Sequence, residues 1–561
     1  MIFIDPDISI AGAASGPLAG LRFTVKDNYD VAGTVTTGAC REFGEFSEPA
    51  QRSATVVERL LAAGASLQGK TNLDQFACGL VGTRSPYGAV RNAFDERYVS
   101  GGSSSGSAVA VATGLVDFSI GTDTAGSGRV PAAFNNIVGL KPSRGLISTR
   151  GMLPACRHLD CPSIFARTVP QAVDVLKVIA GFDAEDPFSR TSGLDPAAMP
   201  KQFRFGVPDA NYLQFFGDGA ARAGYQQALE RLKELGGTVV EIDWTPFFLA
   251  AKALYEDAWV AERYAAIKDF ADHHGDAIHP VVRTIIESGR QYSAVDVFNA
   301  LARMVGYKQR AMQSMAGIDV LVVPSAPTIY TIEAVERDPI ELNRRLGYYT
   351  NAVNLLDLSA IAVPSAMRPD GLPFGITLIG PWGSELRLAE LASRYHAATG
   401  LAVGTSDEPA PRAQTFTRDT GNTVRVAVVG AHLDGLPLNG QLQQRGARLV
   451  EVVNTAPHYR FYALSNTVPP TPGLVRVADQ TGGSIAAEIW EMPVSQYGSF
   501  VAGIPAPLGI GTIELDDGRT VQGFVCESIA LAGAQDITAH GGWRNYLASR
   551  STATTPSTAS A

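Results

Sequence analysis

Two short loops of glycine and serine indicate how this chain folds: Ser100-Gly101-Gly102-Ser103-Ser104-Ser105-Gly106-Ser107 and Gly121-Thr122-Asp123-Thr124-Ala125-Gly126-Ser127. Small residues let a backbone turn sharply and bring its N–H groups close to a ligand. Successive exposed N–H groups form a cradle for an anion, and beside a carbonyl substrate such a cradle is an oxyanion hole. Ser127, at the end of the second loop, is therefore a candidate nucleophile.

The segments around these loops alternate between strand-like and helix-like patterns. An apolar helix followed by a strand is predicted from Ala108 to Ile120, between the two loops. Residues Leu21 to Val25 form a predicted strand and Ala54 to Ala63 a predicted helix, and one long helix is predicted from Ala250 to Ala271. This alternation predicts an α/β fold in which helices cover a sheet.

A change of composition divides the chain in two. The sequence predicts one domain over residues 1–404 and a linker over residues 405–422, where Thr, Pro, Asp and Arg follow no periodic pattern. Short strands separated by Gly and Pro turns then predict a small β-rich domain over residues 423–550. Residues 551–561 are almost entirely Ser, Thr and Ala and are predicted to be a disordered tail.

Composition excludes several classes of function. The formal net charge of −9 argues against non-specific nucleic-acid binding. The N-terminus lacks the pattern of a signal peptide, and no apolar run is long enough to span a bilayer. The five cysteines are scattered, and the eight histidines show no metal-binding motif. We therefore expect a cytoplasmic protein with reduced thiols, no metal, no cofactor, and no nucleic-acid or membrane partner.

Two familiar motifs match the chain but lie in the wrong context. Residues Gly64 to Thr71 fit the phosphate-loop pattern, yet a helix precedes them and residues Ala65 to Gln68 resemble a strand. Residues Gly102 to Gly106 fit the nucleophile elbow of α/β-hydrolases, but the segment before them is polar. That alternative would need His396 as its base.

The two loops belong to a longer pattern that resembles the amidase signature family. The pattern continues with Arg129 and Pro131, then Gly139-Leu140-Lys141-Pro142, and it is preceded by Val25-Lys26-Asp27-Asn28 and Gly69-Lys70-Thr71-Asn72. The resemblance extends in order from Gly16 to Gly400 and implies that family's fold, a large mixed sheet covered by helices. One departure is Ala125, where many members have glycine.

The resemblance implies a Ser–cis-Ser–Lys catalytic set. Ser127 would be the nucleophile, Ser103 the bridging serine held by a cis peptide bond, and Lys26 the base. A serine needs a base, and an ammonium group has no lone pair, so Lys26 must be neutral. The implied oxyanion hole consists of the N–H groups of Thr124, Ala125, Gly126 and Ser127. Asp123 and Arg129 are expected to form a structural pair that supports the loop.

Further segments resemble allophanate hydrolase, a member of that family. These are Pro154 to Ala166 and Leu254 to Tyr264. By resemblance, Tyr255 and Arg263 hold the substrate carboxylate, and their separation of eight residues would place them on one side of the predicted long helix. The chain departs from the family at residues 257 and 258, where Asp-Ala replaces Gly-Pro.

The C-terminal region resembles the second domain of allophanate hydrolase and, through it, the γ-glutamyl cyclotransferase fold. In the family that domain is associated with decarboxylation of N-carboxycarbamate. His432, in the segment Val429-Gly430-Ala431-His432-Leu433, is the first candidate for an acid or base there, and His458 is the second.

The resemblance implies hydrolysis of allophanate (urea-1-carboxylate) to ammonia and N-carboxycarbamate through an acyl-enzyme, in the use of urea or s-triazine nitrogen. The alternatives are a general amidase of broader specificity, the A-type component of a glutaminyl-tRNA amidotransferase, and a non-catalytic binding protein. We further expect a homodimer and, as a partner, a urea carboxylase or another enzyme of the pathway.

Overall fold

The computed structural model describes residues 1–191, 199–416, 423–443, 445, 447–465, 467–478 and 481–552. It divides into two compact units, Met1–Phe416 and Thr417–Ala561. Most of the predicted tail, residues 553–561, lies outside the described residues, as do residues 417–422 of the predicted linker.

The described residues of the first unit form one mixed sheet of eleven strands. These are β1 (Phe3–Asp5), β2 (Arg22–Lys26), β3 (Ser66–Thr71), β4 (Phe118–Asp123), β5 (Val138–Lys141), β6 (Cys161–Ala166), β7 (Phe203–Pro208), β8 (Gly237–Ile242), β9 (Val320–Pro324), β10 (Ser359–Met367) and β11 (Pro373–Gly380). Their order is β1-β3-β2-β4-β6-β5-β10-β11-β9-β7-β8. Strands β4, β5, β6, β9 and β11 are buried along their whole length, and the sequence of β9 is continuously apolar, as expected for a strand covered on both faces.

Helices cover this sheet. They are α1 (Arg41–Glu45), α2 (Thr55–Ala62), α3 (Ser105–Ala112), α4 (Val130–Phe134), α5 (Val169–Ile179), α6 (Gly219–Glu234), α7 (Thr245–Glu256), α8 (Val260–Ala266), α9 (Lys268–His274), α10 (Pro280–Glu287), α11 (Ala294–Ser314), α12 (Ile332–Arg337), α13 (Glu341–Leu346), α14 (Ala352–Leu355) and α15 (Glu385–Thr399). The short 3₁₀ turns are Gln75–Ala77, Gly275–Ala277 and Ser288–Gln291. The predicted mixed sheet covered by helices is confirmed.

The parallel pairing of β2 with β3 and β4 positions the candidate site. Val25 lies opposite Ile120 in β4, and Lys26 lies opposite Thr71 in β3. Because parallel strands run in the same direction, the carboxyl ends of β2 and β4 meet at one edge of the sheet. Ligands of α/β sheets bind at such an edge.

The prediction of a single helix from Ala250 to Ala271 is wrong. The chain leaves the helical conformation at Asp257, where φ is −137° and ψ is 176°, and again at Ile267. The Asp257 carboxylate accepts the N–H of Ala258 at 2.7 Å and pairs with Arg303 at 2.7 Å. A short acidic side chain that bonds its own backbone competes with helix formation, and the three helices α7, α8 and α9 result.

The first compact unit continues beyond residue 404, where the sequence analysis places the end of the domain. The N–H of Thr405 donates to the carbonyl of Ala112, and the N–H of Gln414 donates to the hydroxyl of Ser393. Phe416 is buried in the apolar core of this unit. Residues 405–416 are therefore fixed to the first unit, although their composition is typical of a linker.

The second unit is rich in β-strands, as predicted. Its described residues form a five-stranded sheet, β13-β16-β12-β18-β17, and a three-stranded sheet, β15-β14-β19. The elements are β12 (Thr423–Val428), α16 (Asn439–Gln443), β13 (Arg448–Asn454), β14 (Tyr459–Ala463), β15 (Pro472–Arg476), β16 (Ala486–Pro493), α17 (Val494–Ala502), β17 (Leu508–Glu514), β18 (Thr520–Cys526), the 3₁₀ turns Ser528–Leu531 and Thr538–His540, β19 (Gln535–Asp536) and α18 (Trp543–Thr552). The last helix takes in residues 551 and 552 of the predicted tail. Within the residues described, no helix has the length and apolar character needed to cross a bilayer.

Candidate active site

Three side chains from separate segments meet at the carboxyl edge of β2 and β4. Lys26 Nζ lies 2.7 Å from Ser103 Oγ, and Ser103 Oγ lies 3.0 Å from Ser127 Oγ. Lys26 ends β2, Ser127 follows β4, and Ser103 lies two residues before the start of α3. The Gly102–Ser103 peptide bond is cis. All three side chains are buried, so the three groups form a continuous chain of donors and acceptors away from bulk water.

The surroundings of Lys26 favour a neutral amine. Besides Ser103, Nζ contacts the hydroxyls of Ser104 at 3.1 Å and Thr122 at 2.7 Å. Burial lowers the pKa of Lys26 from 10.5 to about 7, although three nearby carboxylates, Asp74, Asp160 and Asp123, act to raise it. A hydroxyl can donate to a neutral amine as well as accept from a charged one. The site can therefore hold a free base near neutral pH.

The loop before the nucleophile presents backbone N–H groups, but only part of the expected set is free. The Gly126 N–H donates to Asp123 Oδ1 at 2.8 Å, so the expectation that it serves an oxyanion is not met in this arrangement. Within the described chain, the N–H groups of Thr124, Ala125 and Ser127 donate to no other protein group. These three remain the candidate donors of an oxyanion hole.

Glycine is required at position 126 by both conformation and space. Its φ is +137°, a region that side chains rarely adopt. A Cβ added there would overlap the side chain of Thr350. The alanine at 125 needs no such freedom, because it is absent from the residues with positive φ.

Asp123 and Arg129 form the expected structural pair beneath the loop. Arg129 Nε donates to Asp123 Oδ2 at 2.8 Å and Arg129 Nη2 donates to Asp123 Oδ1 at 2.9 Å, with both side chains fully buried. The same carboxylate accepts the N–H groups of Gly126 and Gly128. The pair thus fixes the turn that carries Ser127 without contacting the nucleophile's hydroxyl.

Tyr255 and Arg263 lie on different helices, α7 and α8, but still meet. The Arg263 guanidinium carbon lies 5.4 Å from the centre of the Tyr255 ring. Arg263 is only 3% exposed, and its Nε and Nη1 atoms are buried with no hydrogen-bond partner. A buried guanidinium with unused donors is suited to a carboxylate, which it grips through two parallel hydrogen bonds. The predicted pairing of these residues therefore arises from helix packing and not from one helical face.

Neither of the two other motifs forms the site that its pattern would predict, although the nucleophile-elbow match contains Ser103 and Ser104. Gly64 follows helix α2, and the residues after it form strand β3, which is the reverse of a phosphate loop. His396 lies buried in α15, and both of its ring nitrogens lack a hydrogen-bond partner. Ser104, the central serine of the nucleophile-elbow pattern, contacts Lys26 and Thr122 instead of a histidine.

A cavity of about 400 Å³ lies in the second unit and takes in the predicted glycine-containing turn. His432 lines it, stacks on Phe524 with ring centres 4.9 Å apart, and lies 3.1 Å through Nε2 from Gln441 Oε1. Burial lowers the pKa of His432. His458 does not line this cavity, because it lies at the start of the segment that leads into β14.

Sequence reasoning missed groups that contact the site. Thr122 and Ser104 hold the Lys26 amine, and Asp160 accepts a hydrogen bond from the hydroxyl of Thr124. Thr122 and Ser104 lie inside the two loops and could have been chosen from their position next to the nucleophile segment. Asp160 lies in the segment Pro154 to Ala166 that resembles allophanate hydrolase, but nothing in the sequence distinguishes it from the other polar residues of that segment. In the described part of the chain, no group of three or more His, Cys, Asp or Glu side chains could hold a metal ion.

Comparisons with known proteins agree with this geometry. Residues 4–389 match the amidase family, and residues 424–548 match the allophanate hydrolase C-terminal domain. Urea amidolyase of Lachancea kluyveri is 43% identical over 547 residues, which are 95% of this chain and 30% of that protein. A glutamyl-tRNA(Gln) amidotransferase component of Aromatoleum aromaticum is 32% identical over 432 residues, covering 70% of this chain and 86% of that protein.

Among solved structures, the Kluyveromyces lactis allophanate hydrolase superposes with a TM-score of 0.73 at 42% identity and covers 95% of this chain and 89% of its own. The chain spans about 30% of the length of the urea amidolyase that it matches. The resemblance and the fold class inferred from the sequence are confirmed, whereas the likeness of the second unit to the γ-glutamyl cyclotransferase fold stays a prediction. The chain belongs to the amidase family and carries an allophanate hydrolase C-terminal domain.

Proposed function

We propose that this chain hydrolyses allophanate to ammonia and N-carboxycarbamate, which then loses carbon dioxide. The observation that carries the proposal is the buried Arg263 guanidinium, whose Nε and Nη1 have no partner and which lies against Tyr255. Allophanate is a small anion with a carboxylate at one end and a primary amide at the other. The 42% identity to an allophanate hydrolase over 95% of the chain supports the same substrate.

The proposed chemistry is acyl transfer. Neutral Lys26 draws a proton from Ser127 through Ser103, and Ser127 Oγ attacks the amide carbonyl of allophanate. The N–H groups of Thr124, Ala125 and Ser127 stabilise the oxyanion. The proton returns through Ser103 to the leaving nitrogen, and ammonia departs as the C–N bond breaks.

Water then completes the turnover. A water molecule gives its proton along the same path to Lys26 and attacks the acyl-enzyme carbonyl. The ester bond to Ser127 breaks, the serine hydroxyl is restored, and N-carboxycarbamate is released. This product carries two carboxylates on one nitrogen and breaks down to carbon dioxide and ammonia.

The test is ammonia release from allophanate by the wild-type chain and by Ser127→Ala, Arg263→Ala and Arg263→Lys. We expect Ser127→Ala to abolish turnover. We expect Arg263→Ala to raise KM by roughly 10²–10⁴, because two charge-assisted hydrogen bonds of about 1.5–3 kcal/mol each are lost. Arg263→Lys should recover only part of the loss, since an ammonium cannot form the two parallel bonds. Arg283→Ala, which removes an exposed arginine on α10, is the matched control.

Several outcomes would favour a different function. Turnover retained by Ser127→Ala would remove the nucleophile assignment. Equal rates on neutral amides and on allophanate would favour a general amidase. Ammonia release only after addition of partner chains would favour an amidotransferase component, the class of the 32% identical relative.

The proposal also covers the role of the second unit, the source of allophanate and the oligomeric state. His432, in the cavity of about 400 Å³, is the proposed acid or base for decarboxylation of N-carboxycarbamate. His458 has no such cavity and is a weaker candidate. A urea carboxylase is the proposed source of allophanate, in keeping with the urea amidolyase relatives, and a homodimer in the cytoplasm is the proposed state.

A further inference from the structure

Asp160 is a buried carboxylate that the proposed chemistry does not use. Its side chain is 4% exposed, and one oxygen accepts the hydroxyl of Thr124. The other oxygen accepts the N–H of Ala155 at 2.8 Å and the N–H of Cys156 at 3.0 Å. In the described part of the chain, no basic side chain forms an ion pair with this carboxylate. Such a group is costly to bury, so three donors must compensate it.

The three groups that donate to Asp160 come from two different segments of the chain. Thr124 begins the row of free N–H groups before Ser127, whereas Ala155 and Cys156 belong to the segment between β5 and β6. Cys156 is fully buried and close enough to Arg263 for the two groups to interact electrostatically. Asp160 therefore connects the segment that would hold the oxyanion to the segment of Cys156, which belongs to the apolar cluster that Tyr255 packs against.

The side chain of Asn354 connects the same two segments through two further hydrogen bonds. Asn354 Nδ2 donates to the carbonyl of Asp123 at 2.7 Å and to the carbonyl of Leu159 at 3.0 Å. The residues just before the nucleophile loop and just before Asp160 are thus held at a fixed separation. Of these contacts, only those of Asp160 reach Thr124, the first free N–H of the row.

We propose that Asp160 is a positioning residue that holds the oxyanion-hole segment at Thr124 in a fixed position relative to the segment of Ala155 and Cys156, and through it relative to the Arg263 guanidinium. The inference rests on the proposed function, in which one substrate spans both groups.

The charge of Asp160 is one of four that face Lys26. Asp74, Asp160 and Asp123 raise the pKa of Lys26, and Arg263 lowers it. Burial raises the pKa of Asp160 itself to about 6. Four further charged residues line a cavity of about 190 Å³ together with Asp160: Arg150, Arg157, Glu185 and Asp186. Replacing Asp160 with a neutral amide removes one stabilising charge, so Lys26 becomes neutral at lower pH.

The experiment separates the charge of Asp160 from its hydrogen bonds. Asp160→Asn removes the charge and places an amide against two N–H donors, Asp160→Glu keeps the charge but moves it, and Thr124→Val removes one hydrogen bond and leaves the charge. For each variant, the rate at which a fluorophosphonate labels Ser127 is measured from pH 5 to 10, together with KM and kcat for allophanate.

We expect all three variants to label roughly 10–100-fold more slowly, because misplaced groups lose orientation. In Asp160→Asn the acid midpoint of the labelling profile should move to lower pH, while in Asp160→Glu and Thr124→Val it should stay in place. Asp160→Glu and Asp160→Asn should also raise KM for allophanate, since Arg263 shifts relative to the oxyanion-hole segment. A residue with a merely structural role would not move the midpoint.

An unchanged midpoint and labelling rate in Asp160→Asn would overturn the proposal. If that variant does not fold, a wild-type labelling rate in Thr124→Val overturns it instead. Labelling does not depend on the natural substrate, so a wild-type chain that labels at Ser127 but leaves allophanate intact would count against the proposed function alone.

Discussion

Because Lys26 is neutral in the folded chain near pH 7, the free energy of unfolding should depend on pH, and this can be tested without any substrate. Burial lowers the pKa of this amine to about 7 in the folded chain, whereas the unfolded chain has the ordinary value of 10.5. Between pH 7 and 10.5 the unfolded chain binds a proton that the folded chain does not. The free energy of unfolding therefore rises with pH over this window, and below pH 7 the effect is constant.

The comparison is with Lys26→Met, which fills similar space and cannot titrate. Relative to this variant, the wild-type chain should gain roughly 4–5 kcal/mol of stability between pH 7 and 10.5, at about 1.4 kcal/mol for each pH unit. Other groups that titrate in this window are present in both chains, so their contributions cancel in the difference. The three hydroxyls that lose a partner in the variant add an offset that does not depend on pH.

Denaturant unfolding of both chains at intervals between pH 6 and 10 measures this difference. A difference that stays flat between pH 7 and 10 would mean that Lys26 keeps its proton in the folded chain. The proposed proton path through Ser103 would then lack a base at neutral pH. A rise that begins well above pH 7 would place the working range of the enzyme at more alkaline pH.

Three further outcomes follow from the same geometry. Gly126→Ala should lower the rates of ammonia release and of probe labelling by about 10²-fold or more, because the added Cβ overlaps Thr350 and misplaces the oxyanion donors. The control is Gly219→Ala, where an added Cβ meets no neighbour, and it should leave both rates unchanged. Arg129→Met should lower the free energy of unfolding by about 3–5 kcal/mol by leaving the Asp123 carboxylate unpaired, and an unchanged Tm would contradict this. His432→Ala should delay carbon dioxide release by about 10²-fold while the first ammonia appears at the wild-type rate; equal timing of both products would exclude an acid or base role for that histidine.

The catalytic set could be predicted from the sequence because short motifs fix it locally. The second loop follows a buried strand, and Lys26 ends another strand, so parallel pairing alone brings Ser127 and the amine to one edge. The sequence does not contain the hydrogen-bond directions inside the loop. Whether Gly126 offers its N–H to a substrate depends on where the Asp123 carboxylate points. Arg129 fixes that carboxylate, and Arg129 is itself held by Asn354 from a distant segment.

The predicted long helix fails for a related reason. Apolar periodicity from Ala250 to Ala271 is consistent with one helix, and no glycine or proline interrupts it. At the break, the Asp257 carboxylate accepts the N–H of Ala258 and also pairs with Arg303 on another helix, and this second contact has no local signature in the sequence. Asp160 was missed on similar grounds, since the hydroxyl of Thr124 that donates to it lies 36 residues away in the sequence.

The interruption at Asp257 also bears on how substrate choice can change. Tyr255 lies in α7 and Arg263 lies in α8, and the three residues 257–259 connect these two helices. A longer or more flexible connection at 257–259 would shift Arg263 relative to Tyr255. Lys26, Ser103 and Ser127 would stay in place, because the large sheet and its loops hold them. Under the proposed function, a change at residues 257–259 would therefore alter the length of acid that the site accepts, while the groups that cleave the bond stay in place.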